Sequence, residues 1–169
     1  IEQGLMASVA SKVDAFDSDS RLDFIIGSSH LVNGDDPYYP EFWEYSDVKT
    51  AILSYYESII DNLNTCHNFD VYGHIDYIAR YIPKDRISEY KEKDFYDILD
   101  AILHTIITNG KGIELNTAGL RYSTAQTNPS PFILRRYREL GGEIITVGSD
   151  AHAPEYLAYS FDRIPVILK

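Results

Sequence analysis

The chain has 169 residues, of which 44% are hydrophobic and 24% are charged. This length suits one domain with a sizeable core, and the composition excludes a disordered or fibrous protein. Its 15 basic and 26 acidic residues give a formal net charge of -11, a sign that repels nucleic-acid phosphates and anionic lipid headgroups. We therefore expect a single domain over residues 1–169 that binds neither nucleic acid nor membranes.

Cys66 is the single cysteine, which excludes an internal disulfide framework and a zinc site made of thiolates. A bound metal would therefore need histidine and carboxylate ligands. No segment approaches the roughly 20 apolar residues that span a bilayer, and no basic start followed by an apolar run resembles a signal peptide. These features predict a cytoplasmic protein.

Apolar residues recur at helical spacing in four segments, which are residues 9–16, 48–63, 94–109 and 130–140. Ser46 or Asp47 can cap the second helix, and Ser130 followed by Pro131 is typical of a helix start. Gly110 is suited to close the third helix, because glycine adopts the left-handed conformation easily. The first of the four segments is the weakest, and the tail after residue 162 fits either a strand or a helix start.

Short apolar runs of strand length alternate with these helices, at residues 24–26, 70–72, 113–115 and 144–147. Strands that alternate with helices are typical of an α/β protein with a parallel sheet. From the pattern alone, the sheet is either open and doubly wound or an arc of a barrel.

Polar side chains follow three of the predicted strands. His30 follows the first strand, His74 and Asp76 follow the second, and Asp150 and His152 follow the last. The carboxyl ends of parallel strands form the rim on which ligands and catalysis are found. Because residues i and i+2 of a strand point to the same side, we expect each of the pairs 74/76 and 150/152 to enter one pocket.

Imidazole and carboxylate groups in this pattern suit zinc, manganese or iron, and paired metal ions can polarise a phosphoryl group. Ordinary packing histidines are the alternative. Arg121 lies in the loop that follows residues 113–115, on the same rim, where its planar fork would match a phosphate group. A surface salt bridge is the other interpretation of this arginine. We interpret Cys66, His67 and His104 as structural.

Taken together, these strings resemble the PHP (polymerase and histidinol phosphatase) family, and in particular its histidinol-phosphatase branch. The strings are Ile1-Glu2, Gly27-Ser28-Ser29-His30, Gly73-His74-Ile75-Asp76, Glu114-Leu115-Asn116-Thr117-Ala118-Gly119-Leu120-Arg121 and Gly148-Ser149-Asp150-Ala151-His152. They occur in order over nearly the whole chain. The segment from Asn116 to Arg121 is the one that points to the histidinol-phosphatase branch.

The resemblance implies an incomplete form of the family's distorted (β/α)7 barrel, an α/β fold in which parallel strands alternate with helices. It also implies up to three divalent metal ions, which would be zinc, manganese or iron. By motif, Glu2 would bridge two metals, and His30 and His74 would complete one of those sites. Asp150 would bind the other metal, and His152 would bind a third.

The activity that the resemblance implies is hydrolysis of a phosphomonoester, with histidinol phosphate of L-histidine biosynthesis as the small phosphorylated substrate. Arg121 would hold the phosphate and Asn116 would contact the substrate, while Arg121, Asp150 and His152 form the expected catalytic set. Another phosphoesterase of the family, or a metal-binding module without turnover, are the alternatives.

A complete family member opens with a His-x-His strand, and no such motif precedes Glu2. We therefore expect this chain to be the C-terminal portion of a PHP barrel that lacks about two strands, or roughly 70–80 residues. Such a fragment is expected to be inactive alone. It would expose a strand edge and an apolar interior, and it would associate with itself or with the missing N-terminal segment.

Overall fold

The computed structural model describes the backbone of residues 1–169 and every side chain except that of Asp17. Its strands are β1 (Glu2–Gly4), β2 (Ile26–Ser28), β3 (Val71–Tyr72), β4 (Gly112–Asn116) and β5 (Ile145–Gly148). Its helices are α1 (Ala10–Asp17), α2 (Val48–Thr65), α3 (Tyr96–Thr108), α4 (Pro131–Glu139) and α5 (Ile164–Ile167). Short 3-10 helices occur in the connections. No helix in this described chain is both long and apolar enough to cross a membrane.

The five strands form one sheet in the order β1-β2-β3-β4-β5, and each neighbouring pair is parallel. A doubly wound sheet reverses its strand order at a switch point, whereas here each connection moves one strand further in the same direction. Right-handed crossovers then place the connecting helices on one face of the sheet, as in a β/α barrel. The strand order therefore decides between the two architectures that the sequence pattern leaves open.

Strand β4 shows how the sheet separates an apolar face from a polar one. Ile113 and Leu115 are fully buried and belong to the hydrophobic core. Because side chains alternate along a strand, Glu114 and Asn116 lie on the opposite face, and both are also buried. The polar face is the one that carries the site described below.

The helix caps behave as the sequence predicts. Asp47 is the residue that caps α2, since its side chain accepts a hydrogen bond of 2.9 Å from the backbone N–H of Thr50. Ser130 caps α4 and Pro131 occupies its first turn. Gly110 follows α3 with a φ of 67°, a left-handed conformation that costs glycine little.

Strand β2 lies two residues later than the apolar run 24–26 predicts. The backbone N–H of Ile25 is bound by the carboxylate of Asp70 at 2.7 Å, so the ladder begins at Ile26. Gly27 and Ser28 have little intrinsic preference for strands, but β1 pairs with both residues and β3 pairs with Gly27. Tertiary pairing therefore overrides local propensity here.

Candidate active site

The carboxyl ends of the strands surround one open pocket of about 360 Å³. Its lining includes Glu2, His30, Arg121, Asp150 and His152. All five are predicted site residues, and they come from four different strands or the loops that follow them. The pocket therefore lies where the parallel-sheet rule places ligand sites.

Glu2, His30 and His74 form the tightest group of metal-ligand side chains among the described residues, with one ligand atom of each within 4.8 Å of the others. Oε1 of Glu2 lies 2.9 Å from Nε2 of His74 and 3.5 Å from Nε2 of His30. Ligand bonds of about 2.0–2.2 Å in tetrahedral geometry separate ligand atoms by roughly 3.4 Å. These spacings fit a shared divalent cation.

The protonation states of two of these groups also suit a metal. Hydrogen bonding to His74 lowers the pKa of Glu2 to about 2, against the opposing effect of burial. Burial, assisted by the nearby His74, lowers the pKa of His30. At neutral pH, Glu2 is therefore a carboxylate and His30 is a neutral imidazole, which are the forms that bind metal ions.

Packing holds the two imidazole rings in place. The ring of Tyr77 lies 4.8 Å from that of His30 and 5.0 Å from that of His74, centroid to centroid. His74 is buried, its Nδ1 has no hydrogen-bond partner, and its backbone has a φ of 21°. A positive φ outside glycine is uncommon and occurs often at functional sites. This sharp turn directs Nε2 of His74 to Glu2.

Glu114 is a buried carboxylate that binds the backbone of His74. Its Oε2 accepts hydrogen bonds from Nδ2 of Asn116 at 3.1 Å and from the backbone N–H of His74 at 3.4 Å, and burial raises its pKa. Oδ1 of Asn116 accepts from the backbone N–H of Ala118 at 2.9 Å. Both ends of the Asn116 amide are thus used within the chain, and the structure does not bring this predicted substrate contact into the pocket lining.

Asp150, His152 and Arg121 lie together at another side of the pocket. Nδ1 of His152 is 3.1 Å from the backbone oxygen of Asp150 and 3.5 Å from its Oδ1. Nη2 of Arg121 donates to the same backbone oxygen at 3.4 Å, and its guanidinium lies 4.1 Å from the ring centroid of Tyr156. The His152 side chain is 87% exposed. The three residues share a pocket with Glu2 but do not join its tight cluster.

The expectation that Asp76 enters the pocket with His74 is wrong. Asp76 is buried, with Oδ1 accepting from Nδ2 of Asn128 at 2.6 Å and Oδ2 accepting from the backbone N–H of Ser130 at 2.9 Å. Burial raises its pKa to about 6, although those two hydrogen bonds oppose the rise. The i, i+2 rule holds for an extended chain only, and after His74 the chain enters a 3-10 helix, Tyr77–Tyr81.

Arg80 is a further residue of the pocket lining that the sequence patterns do not predict, a buried cation on this 3-10 helix. Its Nη1 donates to Oδ2 of Asp150 at 3.0 Å. The signal that could have found it is a single charged residue inside the apolar and aromatic run Tyr77-Ile78-Ala79-Arg80-Tyr81-Ile82. A cation in such a run is seldom buried without a partner.

These features define a class of protein, namely β/α proteins that carry a cluster of histidine and carboxylate side chains, suited to a metal ion, beside a pocket at the carboxyl ends of parallel strands. The chain belongs to the PHP domain family, whose family model matches residues 8–118. The resemblance and the α/β fold predicted from sequence are confirmed.

Relatives with curated descriptions agree on one activity. A protein named "Probable histidinol-phosphatase" from Clostridium acetobutylicum is 31% identical over 162 residues, which cover 95% of this chain and 62% of that protein. Histidinol-phosphatase from Lactococcus lactis is 29% identical over 172 residues, which cover 100% of this chain and 62% of that protein. The chain thus spans less than two thirds of the length of these relatives.

A solved structure matches over almost the whole chain. It is histidinol phosphate phosphatase from Lactococcus lactis in complex with zinc, L-histidinol and phosphate. The match has a TM-score of 0.85 at 25% sequence identity and covers 99% of this chain and 64% of that one.

Proposed function

We propose that this protein is a metal-dependent phosphomonoesterase that hydrolyses histidinol phosphate, in the cytoplasm and as a step of L-histidine biosynthesis. The observation that carries the proposal is the pocket that Glu2, His30 and Arg121 line together. The buried His74 completes the cluster with Glu2 and His30. Similarity to a phosphatase whose structure holds zinc, L-histidinol and phosphate supports the choice of substrate. The single Cys66 fits a reducing compartment.

Glu2, His30 and His74 would hold one divalent ion, while Asp150 and His152 offer ligands for further ions. The donor set suits zinc, manganese or iron. Bound ions would neutralise the phosphate oxygens and lower the pKa of a coordinated water.

Arg121 is the residue that would bind the phosphate itself. Two tyrosine rings lie near its guanidinium, with the centroid of Tyr156 at 4.1 Å and that of Tyr159 at 5.6 Å. Aromatic packing of this kind orients the planar fork and leaves its N–H edge available. Two parallel hydrogen bonds from that edge would fix the phosphate in one orientation and stabilise its charge.

The experiment that tests the proposal is the release of inorganic phosphate from histidinol phosphate by the whole natural protein, loaded with zinc or manganese. His74→Asn and His152→Ala are expected to lower the rate strongly. His104→Ala changes an exposed histidine of α3 that lies away from the pocket, and it should leave the rate unchanged.

The outcomes separate the candidate functions. Hydrolysis that is lost on chelation and in the His74 variant supports the proposal. Hydrolysis of a sugar phosphate or a phosphodiester, with none of histidinol phosphate, would identify another phosphoesterase of the family. Zinc binding without hydrolysis of any of these esters would indicate a metal-binding module and would refute the proposal.

A further inference from the structure

Arg80 is a buried cation whose surroundings fix it from two sides. Its side chain is 1% exposed. Nη1 donates to Oδ2 of Asp150 at 3.0 Å, and Nε donates to Oδ1 of Asn128 at 2.6 Å. The guanidinium carbon also lies 5.4 Å and 5.5 Å from the ring centroids of Tyr77 and Tyr122. These contacts leave the side chain little rotational freedom.

Asn128 connects Arg80 to a second buried carboxylate. While its Oδ1 accepts from Arg80, its Nδ2 donates to Oδ1 of Asp76 at 2.6 Å. The backbone of Asn128 is itself held by two hydrogen bonds to Asn116 at the end of β4, of 2.7 and 2.9 Å. The series Asp76, Asn128, Arg80 and Asp150, which we call the buried relay, therefore runs from the end of β3 to the end of β5.

One group of the buried relay lacks a partner. Nη2 of Arg80 is buried and makes no hydrogen bond within the described residues, although Arg80 lines the pocket. A buried charged donor without an acceptor is costly, because water no longer solvates it. An anion bound in the pocket would supply the missing acceptor.

We propose that Asp76 and Asn128 are positioning residues that hold Arg80 in one orientation, so that Nη1 fixes Asp150 while Nη2 donates to the substrate phosphate. The inference rests on the proposed function for the identity of that anion. Asp76 and Asn128 do not touch the substrate, and they act only through the guanidinium. A hydrogen bond to a charged group typically changes an equilibrium constant by about 10–100-fold.

A double-mutant cycle on the full, zinc-loaded chain tests this dependence, with binding of inorganic phosphate measured by calorimetry. Asn128→Ala is expected to weaken phosphate binding by about 10–100-fold, because a hydrogen bond to the charged Arg80 is lost. In an Arg80→Met background, the same substitution should have no further effect, because the residue through which Asn128 acts is gone. Losses that add in the double variant would overturn the inference.

Two further variants keep the test decisive. Asp76→Asn preserves the size of the side chain but removes its charge, so it replaces Asn128→Ala in the cycle if that variant does not fold. Arg136→Met is the matched control, because Arg136 also binds a carboxylate, Asp100, and lies over a tyrosine ring but is outside the pocket. It should leave phosphate affinity unchanged.

The two proposals can fail separately. If phosphate binds with a non-additive cycle but the whole natural protein hydrolyses no phosphoester, the proposed function fails and the buried relay stands. If it hydrolyses histidinol phosphate and the cycle is additive, the buried relay fails alone. A zinc-loaded wild-type chain that binds no phosphate overturns the role assigned to Nη2.

Discussion

The carboxylate of Glu114 on β4 occupies the space beside the backbone of Gly148 on β5 that a side chain at position 148 would need. A Cβ atom at Gly148 would collide with Oε1 of Glu114, whose other oxygen binds the backbone N–H of His74. Gly148, two residues before Asp150, therefore leaves room for the carboxylate that binds the backbone of His74.

Gly148→Ala is accordingly expected to destabilise the fold by about 1–3 kcal/mol, because the buried Glu114 must move in a closely packed site. The free energy of unfolding in urea measures this effect. Gly4→Ala on β1 is the control, since a Cβ atom there would meet its nearest neighbour, Nδ1 of His30, at 4.0 Å. Equal stability of the two variants would show that Glu114 yields freely.

Zinc is expected to stabilise the folded chain, because Glu2, His30 and His74 come from three distant parts of the sequence and meet in the native state only. At a free zinc concentration 100 times Kd, linkage predicts a gain of about 2.7 kcal/mol. Melting temperatures with zinc and with a chelator measure the gain. His74→Asn should abolish it and His104→Asn should retain it. A gain that persists in the His74 variant would place the zinc elsewhere.

Two leucines on neighbouring helices allow a test of the core. Leu103 on α3 is fully buried, whereas Leu53 on α2 is 39% exposed. Leu103→Ala is expected to cost about 2–5 kcal/mol in unfolding free energy, from lost burial and the cavity left behind. Leu53→Ala should cost less than about 1 kcal/mol. Denaturant unfolding of both variants provides the comparison, and similar costs would contradict the packing of α3 on the sheet.

The side chain of Glu92 lowers the free energy of unfolding by an amount that depends on pH. Burial raises its pKa, although a hydrogen bond with Ser130 opposes the rise. A carboxyl group whose pKa is raised by folding destabilises the folded state at pH values at which the group is ionised. It has no such effect at pH values below its pKa in the unfolded chain. Glu92→Gln should therefore increase the unfolding free energy at pH 7, and this gain should vanish below about pH 4.

Unfolding of the Glu92 variant and the wild type at both pH values measures that difference. The exposed Glu57→Gln on α2 reports the effect of the substitution itself. If Glu92→Gln increases the unfolding free energy equally at pH 4 and pH 7, burial does not raise the pKa of this carboxyl group.

Much of the site could be predicted from sequence because its residues follow directly after strands. That rule alone predicts that His30, Asp150 and His152 lie on the rim, and all three line the pocket. The rule failed at Asp76, where the backbone leaves the extended conformation at His74 and the side chain turns to Asn128. Local spacing cannot predict a turn of this kind, because the contacts that hold it come from residues about 50 positions away.

The helices and their caps are predictable from sequence, since the hydrogen bonds of Asp47 and the left-handed turn at Gly110 involve only neighbouring residues. The α/β class and the family are also predictable from it, through the order of its motifs. Three features depend on the folded chain as a whole, namely the strand order, the contact of Glu2 with His74 and the buried position of Arg80. These features join segments that are far apart in the chain, and their free energy comes from burial and long-range hydrogen bonds rather than from local preference.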